Sequence, residues 1–248
     1  MLDVAIMSYN IWFDITNREE RLKSLIQIIR YHNPDIICLQ EVTPVTSKYL
    51  ISQLKDYQYI FPLNIETAYD CMIFSRYEIL NHEEYEYDMT LMSRKLYSII
   101  IKINGKKLAI CTSHFESEFT KNNDIKISQY ANAHEILNEL SKEYSVIFCS
   151  DTNILHHEEK YFITKDKNWS DAWIQNGSDS NNEYTYDTKL NDNLKIRGIQ
   201  KEIRSRIDRI IYKGDIILNN FKLIKNMCNQ NIEASDHYGI MANLGLEN

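Results

Sequence analysis

The 248-residue chain carries 28 Lys and Arg against 35 Asp and Glu, a net charge of −7, which excludes nucleic-acid binding through a uniformly basic surface. A hydrophobic content of 44% suffices for a large buried core, and one domain over residues 1–248 is the simplest organisation. The amino terminus lacks a signal-peptide pattern and no apolar run reaches the roughly 18 residues of a membrane span, so we expect an intracellular, soluble protein, nuclear or cytoplasmic, without membrane contact.

Short apolar runs predict strands along the whole chain. Asn104-Gly105 separates two of them and is a strong hairpin signal, so this pair should be antiparallel and the sheets mixed. Four of the five cysteines lie within apolar runs and none forms a Cys-x-x-Cys pair, which indicates reduced core residues. In chain order the runs are VAIMSY, DIICLQ, YQYIFPL, CMIFS, LYSIIIKI, KLAICTSHF, SVIFCS, IDRIIY, DIIL and YGIMANL.

Helical periodicity marks two longer segments and one shorter one. The first presents one apolar face, is preceded by Thr16 and Glu19 at capping-box spacing, and ends at Asn33-Pro34. A short helix is predicted over Val45–Leu54, and the polar stretch 175–200 is predicted to be a long loop. The face of the first helix is Leu22, Leu25, Ile26 and Ile29, and that of the helix at Ile125–Lys142 is Ile127, Tyr130, Ala131, His134, Leu137 and Leu140.

Polar residues stand directly after the apolar runs, where side chains from neighbouring strand ends can meet. Taken singly, each has an ordinary explanation as a helix cap, a turn former or a partner in a surface ion pair. Their joint occurrence at successive strand ends instead predicts one functional site. The set is Asn10, Glu41, His114, Ser117, Asp151, Asn153, Asp208, Asp236 and His237.

The ordered pattern N…QE…H…DxN…D…SDH resembles the endonuclease/exonuclease/phosphatase superfamily from Asn10 to His237. The strings SYNIWF, PDIICLQEV, TSHFES, CSDTN, YTYDT, RIDRI and SDHYG are similar to its 5′-tyrosyl-DNA phosphodiesterase branch. This resemblance implies an α/β fold, a four-layer sandwich of two mixed β-sheets flanked by helices. It also implies hydrolysis of the bond between a topoisomerase II-derived tyrosine and a DNA 5′ phosphate, with the 5′ phosphate left on the DNA.

Catalysis at a phosphodiester requires cationic or hydrogen-bonding groups around the phosphate and a positioned water. Hard oxygen ligands suit Mg²⁺, with Mn²⁺ as a substitute, and Glu41 with Asp236 are the predicted ligands. Asp151 is predicted to orient and activate the water. Asn10 and Asn153 are predicted to position the water and the phosphate. His114 and His237 are predicted to donate hydrogen bonds to phosphate oxygens, with His237 oriented by Asp208. Ser117 is predicted to add a further hydrogen bond.

The resemblance implies substrate contacts from Tyr69, Arg94 and Tyr186, with Tyr186 in place of a stacking tryptophan. The expected partner is a DNA 5′ end with a tyrosyl adduct, single-stranded or frayed, bound by a monomer. A basic excess between Lys189 and Lys213 is predicted either to wall a strand-binding groove or to form a solvated face.

Three departures from the family pattern concern phosphate binding. Ser150 replaces a glycine, Leu155 replaces an arginine, and HFESEF lacks the arginine that often follows the serine. Several alternatives therefore remain open: an abasic-site endonuclease, a nonspecific nuclease, a phosphoinositide or sphingolipid phosphatase, and an inactive scaffold that binds DNA or protein.

Overall fold

The computed structural model describes residues 2–117, 123–161, 166–225 and 232–246. The strands are β1 (Leu2–Asn10), β2 (Ile36–Val42), β3 (Tyr59–Phe61), β4 (Asp70–Ser75), β5 (Ile79–Glu86), β6 (Lys95–Ile103), β7 (Lys106–His114), β8 (Ser145–Asp151), β9 (Ser170–Asp171), β10 (Tyr186–Asp187), β11 (Arg204–Ser205), β12 (Asp208–Lys213), β13 (Ile216–Ile224) and β14 (Gly239–Leu246). The helices are α1 (Arg18–His32), α2 (Pro44–Gln53), α3 (Asn123–Leu140), α4 (Ala172–Gln175) and α5 (Asp192–Ile196), with 3₁₀ turns at His156–Tyr161 and Ser180–Asn182.

Two six-stranded mixed sheets form the centre of the molecule. Their strand orders are β13-β14-β1-β2-β4-β3 and β5-β6-β7-β8-β12-β9. The pairs β1–β2 and β7–β8 are parallel, and the other neighbours are antiparallel. The predicted hairpin is confirmed: β6 and β7 meet at Asn104 (φ 48°) and Gly105 (φ 87°), the left-handed backbone that a tight turn requires.

Alternation along β2 shows how the layers are built. Ile36 and Cys38 face the core between the two sheets, whereas Ile37 and Leu39 face a second core under α1 and α2. A third core lies between α3 and the other sheet. The order helices, sheet, sheet, helix confirms the predicted four-layer α/β sandwich with two mixed sheets.

The strands that the sequence did not predict are the polar or very short ones. β5 is an edge strand whose residues are mostly exposed, so it carries no apolar alternation. β9, β10 and β11 have two residues each. The predicted loop at 175–200 is wrong as a continuous loop, because short hydrogen-bonded elements with Asp and Asn side-chain caps interrupt it.

Two details of the helix predictions are wrong. α1 begins after Asn17 without a side-chain cap, because Thr16 instead donates its N–H to Asp14 and its carbonyl accepts from Arg21. On α3, Ala131 is exposed and Ala133 is buried beside Tyr130, so the apolar stripe is rotated from the predicted one. The predicted helix at 45–54 is confirmed as α2.

The cysteine prediction is confirmed for the four residues that the structure describes. Cys38, Cys71, Cys111 and Cys149 are buried and unbridged, and Cys228 lies outside the described residues. Within the described part of the chain, no helix combines the length and apolar character needed to cross a membrane.

Candidate active site

The predicted polar residues meet at one rim of the sandwich because of the strand register. His114 at the end of β7 and Asp208 at the start of β12 are both register partners of Asp151 at the end of β8. Asn10 ends β1 in the other sheet and donates to Asp151 Oδ2 over 2.8 Å. Strand ends from both sheets are thereby joined by one buried hydrogen bond.

Asp151 is the central acceptor of this cluster. Its Oδ2 also lies 3.2 Å from His114 Nε2, and its Oδ1 accepts the backbone N–H of Asn153 over 3.0 Å. Burial alone would raise the pKa of Asp151, but the two imidazoles of His114 and His237 and the Asn10 hydrogen bond outweigh it and lower that pKa. Asp151 is therefore a weak base, and its Oδ1, with one donor, has room to accept a hydrogen bond from a water molecule.

His237 lies opposite His114 and is held by Asp208. Its Nδ1 is 2.9 Å from Asp208 Oδ2, and its Nε2 is 3.9 Å from Asp151 Oδ2. Burial alone would lower the pKa of His237, yet the Asp208 and Asp151 carboxylates raise it to about 10. The ring is therefore an imidazolium at neutral pH, with Nε2–H available to a phosphate oxygen.

His114 is oriented by Arg94, which is buried rather than solvated. Arg94 Nη1 lies 3.0 Å from His114 Nδ1, and a guanidinium has no acceptor. Nδ1 must accept, so the proton of the neutral ring is on Nε2, which faces Asp151. The structure thus places Arg94 behind a predicted catalytic histidine, where it sets the tautomer.

Glu41 and Asp236 provide carboxylates beside the cluster. A β-bulge gives Glu41 a positive φ of 60° and takes its side chain out of the strand alternation. Its oxygens accept from Asn10 Nδ2 (3.2 Å) and from the Phe13 N–H (2.9 Å). Asp236 forms an ion pair with Arg197.

These two carboxylates fit a hard divalent cation. Burial, with the nearby negative charge of Glu41, raises the pKa of Asp236, so a cation between these residues would stabilise both anions. Asp151, Asp208 and His237 also bring potential ligand atoms within 4.8 Å of one another. Because His237 is cationic and already bonded to Asp208, the oxygen-only pair of Glu41 and Asp236 suits Mg²⁺ better.

Asn153 is fixed from three sides in a left-handed conformation (φ 47°). Its Nδ2 donates to the Phe115 carbonyl over 3.1 Å, and its own carbonyl accepts from Lys126 Nζ over 3.1 Å. Lys126 also forms a buried ion pair with Glu158 at 2.7 Å. The loop after β8 is therefore held by α3 as well as by the cluster.

The predicted substrate-side residues fall in different places. Tyr186 lies edge-on to His237 with ring centroids 5.2 Å apart, and Tyr69 lies 6.5 Å from His114. Ser117 is outside the hydrogen-bonded cluster, since its hydroxyl faces Met92 Sδ at 3.4 Å.

The basic segment is largely neutralised by ion pairs. Arg206 and Arg209 are buried against Asp171 and Glu159, and Arg204 pairs with Asp187. Neither predicted alternative, a groove wall or a solvated face, fits the buried Arg206 and Arg209, whereas Arg204 stays partly exposed.

Several residues of the site were not found from the sequence. Arg21 is buried and donates to four backbone carbonyls of the loop after β1, at Ile11, Trp12, Asp14 and Thr16. Arg197 reaches Asp236 from 39 residues away in the chain. The available sequence signal is the string IWFD directly after Asn10, because the guanidinium carbons of Arg21 and Arg197 lie 4.4 and 5.8 Å from the centroid of its Trp12 ring.

Comparisons with known proteins find similar sequences and folds. Residues 7–100 match the model of the Endonuclease/Exonuclease/phosphatase family. The tyrosyl-DNA phosphodiesterase 2 proteins of Homo sapiens and Gallus gallus are each 29% identical, over 98% and 96% of this chain and 68% and 65% of their own. The chain thus spans about two thirds of the length of these relatives.

A solved structure of D. rerio TDP2 complexed with single-strand DNA product superposes with a TM-score of 0.90, at 25% identity, and covers 99% of this chain and 100% of that one. A Bacteroides thetaiotaomicron mannosyl-6-phosphatase at 16% identity (TM-score 0.75) shares the fold. The chain is therefore similar to the endonuclease/exonuclease/phosphatase family over residues 7–100, and to tyrosyl-DNA phosphodiesterase 2 over nearly its whole length.

Proposed function

We propose that this chain is a phosphodiesterase that hydrolyses the bond between a tyrosine and the 5′ phosphate of DNA, as left by an abortive topoisomerase II reaction. The observation that carries the proposal is the joined cluster of Asn10, His114, Asp151, Asp208 and His237. It lies in a chain that matches tyrosyl-DNA phosphodiesterase 2 almost from end to end.

The chemistry of each residue indicates the step of the reaction in which it acts. Asp151, with Asn10 and Asn153 beside it, orients a water for attack on phosphorus. The imidazolium of His237 donates its Nε2–H to a non-bridging oxygen, whose charge grows in the transition state. The Nε2–H of His114, which lies 3.2 Å from Asp151 Oδ2, would be shared between that carboxylate and a second non-bridging oxygen once the phosphate is bound. The new P–O bond forms as the bond to the phenol oxygen breaks, the attacking water releases its proton to solvent by way of Asp151, and a 5′ phosphate is left on the DNA.

The leaving group suits this set of residues. A tyrosyl oxygen has a pKa near 10, so it departs with little protonation compared with an alkoxide and takes its proton from solvent. No strong general acid is needed on the leaving side. The low pKa of Asp151 is likewise compatible, because water orientation requires an acceptor more than a strong base.

A divalent cation is part of the proposal. Glu41 and Asp236 would hold Mg²⁺ or Mn²⁺, which when bound would stabilise the developing negative charge on the phosphate. We further propose that residues 1–248 form one catalytic domain, that the protein acts as a monomer, and that it binds single-stranded or frayed 5′ ends.

The test is hydrolysis of a 5′-phosphotyrosyl oligonucleotide in the presence of Mg²⁺. Glu41→Ala and His237→Ala should each lower kcat/KM by roughly a hundredfold or more. Glu20→Ala and His156→Ala are matched controls, because both side chains are exposed and outside the cluster. Equal rates for all five proteins would overturn the assignment of the site.

A substrate panel separates the proposal from the other activities of this fold. Oligonucleotides with an internal abasic site, plain single strands, phosphoinositides and sphingomyelin are compared with the tyrosyl substrate at equal enzyme concentration. We expect the highest kcat/KM for the tyrosyl end. A higher value for any of the others would replace the proposed substrate, and DNA binding without hydrolysis of any of them would indicate a scaffold.

A further inference from the structure

Phe13 has a placement that the mechanism above does not use. Its ring stacks on Tyr69 with centroids 4.5 Å apart and an interplanar angle of 5°, yet 43% of the residue remains exposed. We refer to these two rings as the Phe13–Tyr69 platform. A parallel pair that keeps so much of one ring exposed offers a flat surface on which another ring can stack.

The position of Phe13 is fixed by the structure around it. Its backbone N–H donates to Glu41 Oε2 over 2.9 Å, and the loop from Ile11 to Thr16 is held by the buried guanidinium of Arg21. Tyr69 in turn has the guanidinium carbon of Arg94 5.1 Å from its ring centroid. The platform is therefore a preorganised feature, not a mobile surface ring.

The cluster has aromatic groups on two sides. Tyr186 contacts His237, the Phe13–Tyr69 platform lies beside His114, and Asp151 lies between the two imidazoles. The terminal nucleotide and the phenol are different substituents of the same phosphorus, so they extend from the cluster in different directions. If the terminal nucleotide lies by Tyr186, the platform is the aromatic surface beside the cluster that is left for the departing phenol.

We propose that Phe13 is a specificity-determining residue: with Tyr69, it stacks on the phenol ring of the leaving tyrosine and so favours tyrosyl over alkyl phosphodiesters. This inference rests on the proposed function. The substrate contains two planar rings that could stack on Phe13, the tyrosine side chain and the terminal nucleobase. The experiment distinguishes between these two rings.

The experiment compares wild type with Phe13→Ala, Phe13→Leu and Phe13→Trp. Phe13→Leu removes the ring but keeps apolar contact with Tyr69. It therefore tests the loss of the ring even if Phe13→Ala disturbs the loop. Tyr31→Ala is the matched control, since Tyr31 is an exposed aromatic residue on α1. Substrates are one oligonucleotide carrying a 5′-phosphotyrosyl group, a 5′-phosphoryl ethyl ester, or a 5′-phosphotyrosyl group on an abasic terminal nucleotide.

On the tyrosyl substrate, Phe13→Ala and Phe13→Leu should lower kcat/KM about tenfold, whereas Phe13→Trp and Tyr31→Ala stay near wild type. On the ethyl ester, every variant should remain within about twofold of wild type, and on the abasic tyrosyl substrate the tenfold loss should persist.

Three results would overturn the inference. Equal losses on the tyrosyl and ethyl substrates would make Phe13 a purely structural residue, and a loss that disappears on the abasic substrate would assign the ring contact to the nucleobase. An unchanged rate for Phe13→Ala with an active wild type would reject the inference alone. A wild type that does not hydrolyse the tyrosyl substrate would reject the proposed function, and this inference with it.

Discussion

The buried ion pair between Lys126 and Glu158 gives the sharpest prediction about how the site is held. Both side chains are only 3% exposed and lie 2.7 Å apart. Lys126 also donates to the Asn153 carbonyl, and Glu158 accepts the Leu155 N–H over 2.9 Å. The pair therefore connects α3 to the loop that carries Asn153.

Lys126→Met removes the cation and leaves the Glu158 carboxylate buried with one remaining donor. Breaking a buried pair in this way costs about 3–5 kcal/mol, of which the lost hydrogen bond to Asn153 is about 1 kcal/mol. Against a typical total stability of about 5–15 kcal/mol, the loss should be large. The double variant Lys126→Met/Glu158→Gln leaves no unpaired charge and keeps an acceptor for Leu155, so it should cost only about 1–2 kcal/mol.

Urea unfolding of wild type, both single variants and the double variant forms a double-mutant cycle that isolates the coupling between the two residues. We expect a coupling free energy of about 2 kcal/mol or more, with Lys126→Met less stable than the double variant. If Lys126→Met were no less stable than the double variant, the reasoning would be refuted, since the buried Glu158 carboxylate would then carry no penalty.

Three further predictions concern charge. Asp208→Asn should lower kcat roughly a hundredfold and move the alkaline loss of activity, expected near pH 10 where His237 loses its proton, towards neutral pH in a pH–rate profile. Chelation of divalent cations should stop hydrolysis until Mg²⁺ or Mn²⁺ is restored, and Glu41→Gln should weaken Mg²⁺ binding measured by titration calorimetry. Burial and the Lys222 ammonium lower the pKa of His32 from 6.5 to about 4, so stability should fall as pH drops through this window. Because the ring is partly exposed, the loss should be about 1 kcal/mol, and urea unfolding of His32→Gln should show none of it.

The positions of the cluster residues could be predicted because strand ends obey simple geometry. His114, Asp151 and Asp208 each adjoin an apolar run, and the register of three neighbouring strands then places them side by side. The roles of these residues remain predictions, but their proximity follows from the alternation and order of the strands. The layers follow in the same way from β2, whose alternate residues enter two different cores.

The supporting contacts could not be predicted because they depend on tertiary structure. The left-handed bulge at Glu41 has no glycine to mark it, and the contact of Arg94 with His114 joins a loop to a strand end. The edge strand β5 is polar because little packs on it, so periodicity carries no signal there. Lys126 interrupts the apolar pattern of α3. From the sequence it would therefore be assigned to the solvated face, although it is buried.

The departures at Leu155 and after Ser117 alter how the substrate can be held. Leu155 lines a small apolar recess of about 210 Å³ together with Tyr186, Ile203 and Ile207, so apolar surface stands where an arginine was expected. Arg94 is already bonded to His114 of the cluster, and Arg197 is already bonded to Asp236 beside it. Affinity for a DNA end would then depend more on ring and apolar contacts than on phosphate–cation pairs, which agrees with a chain whose net charge is −7.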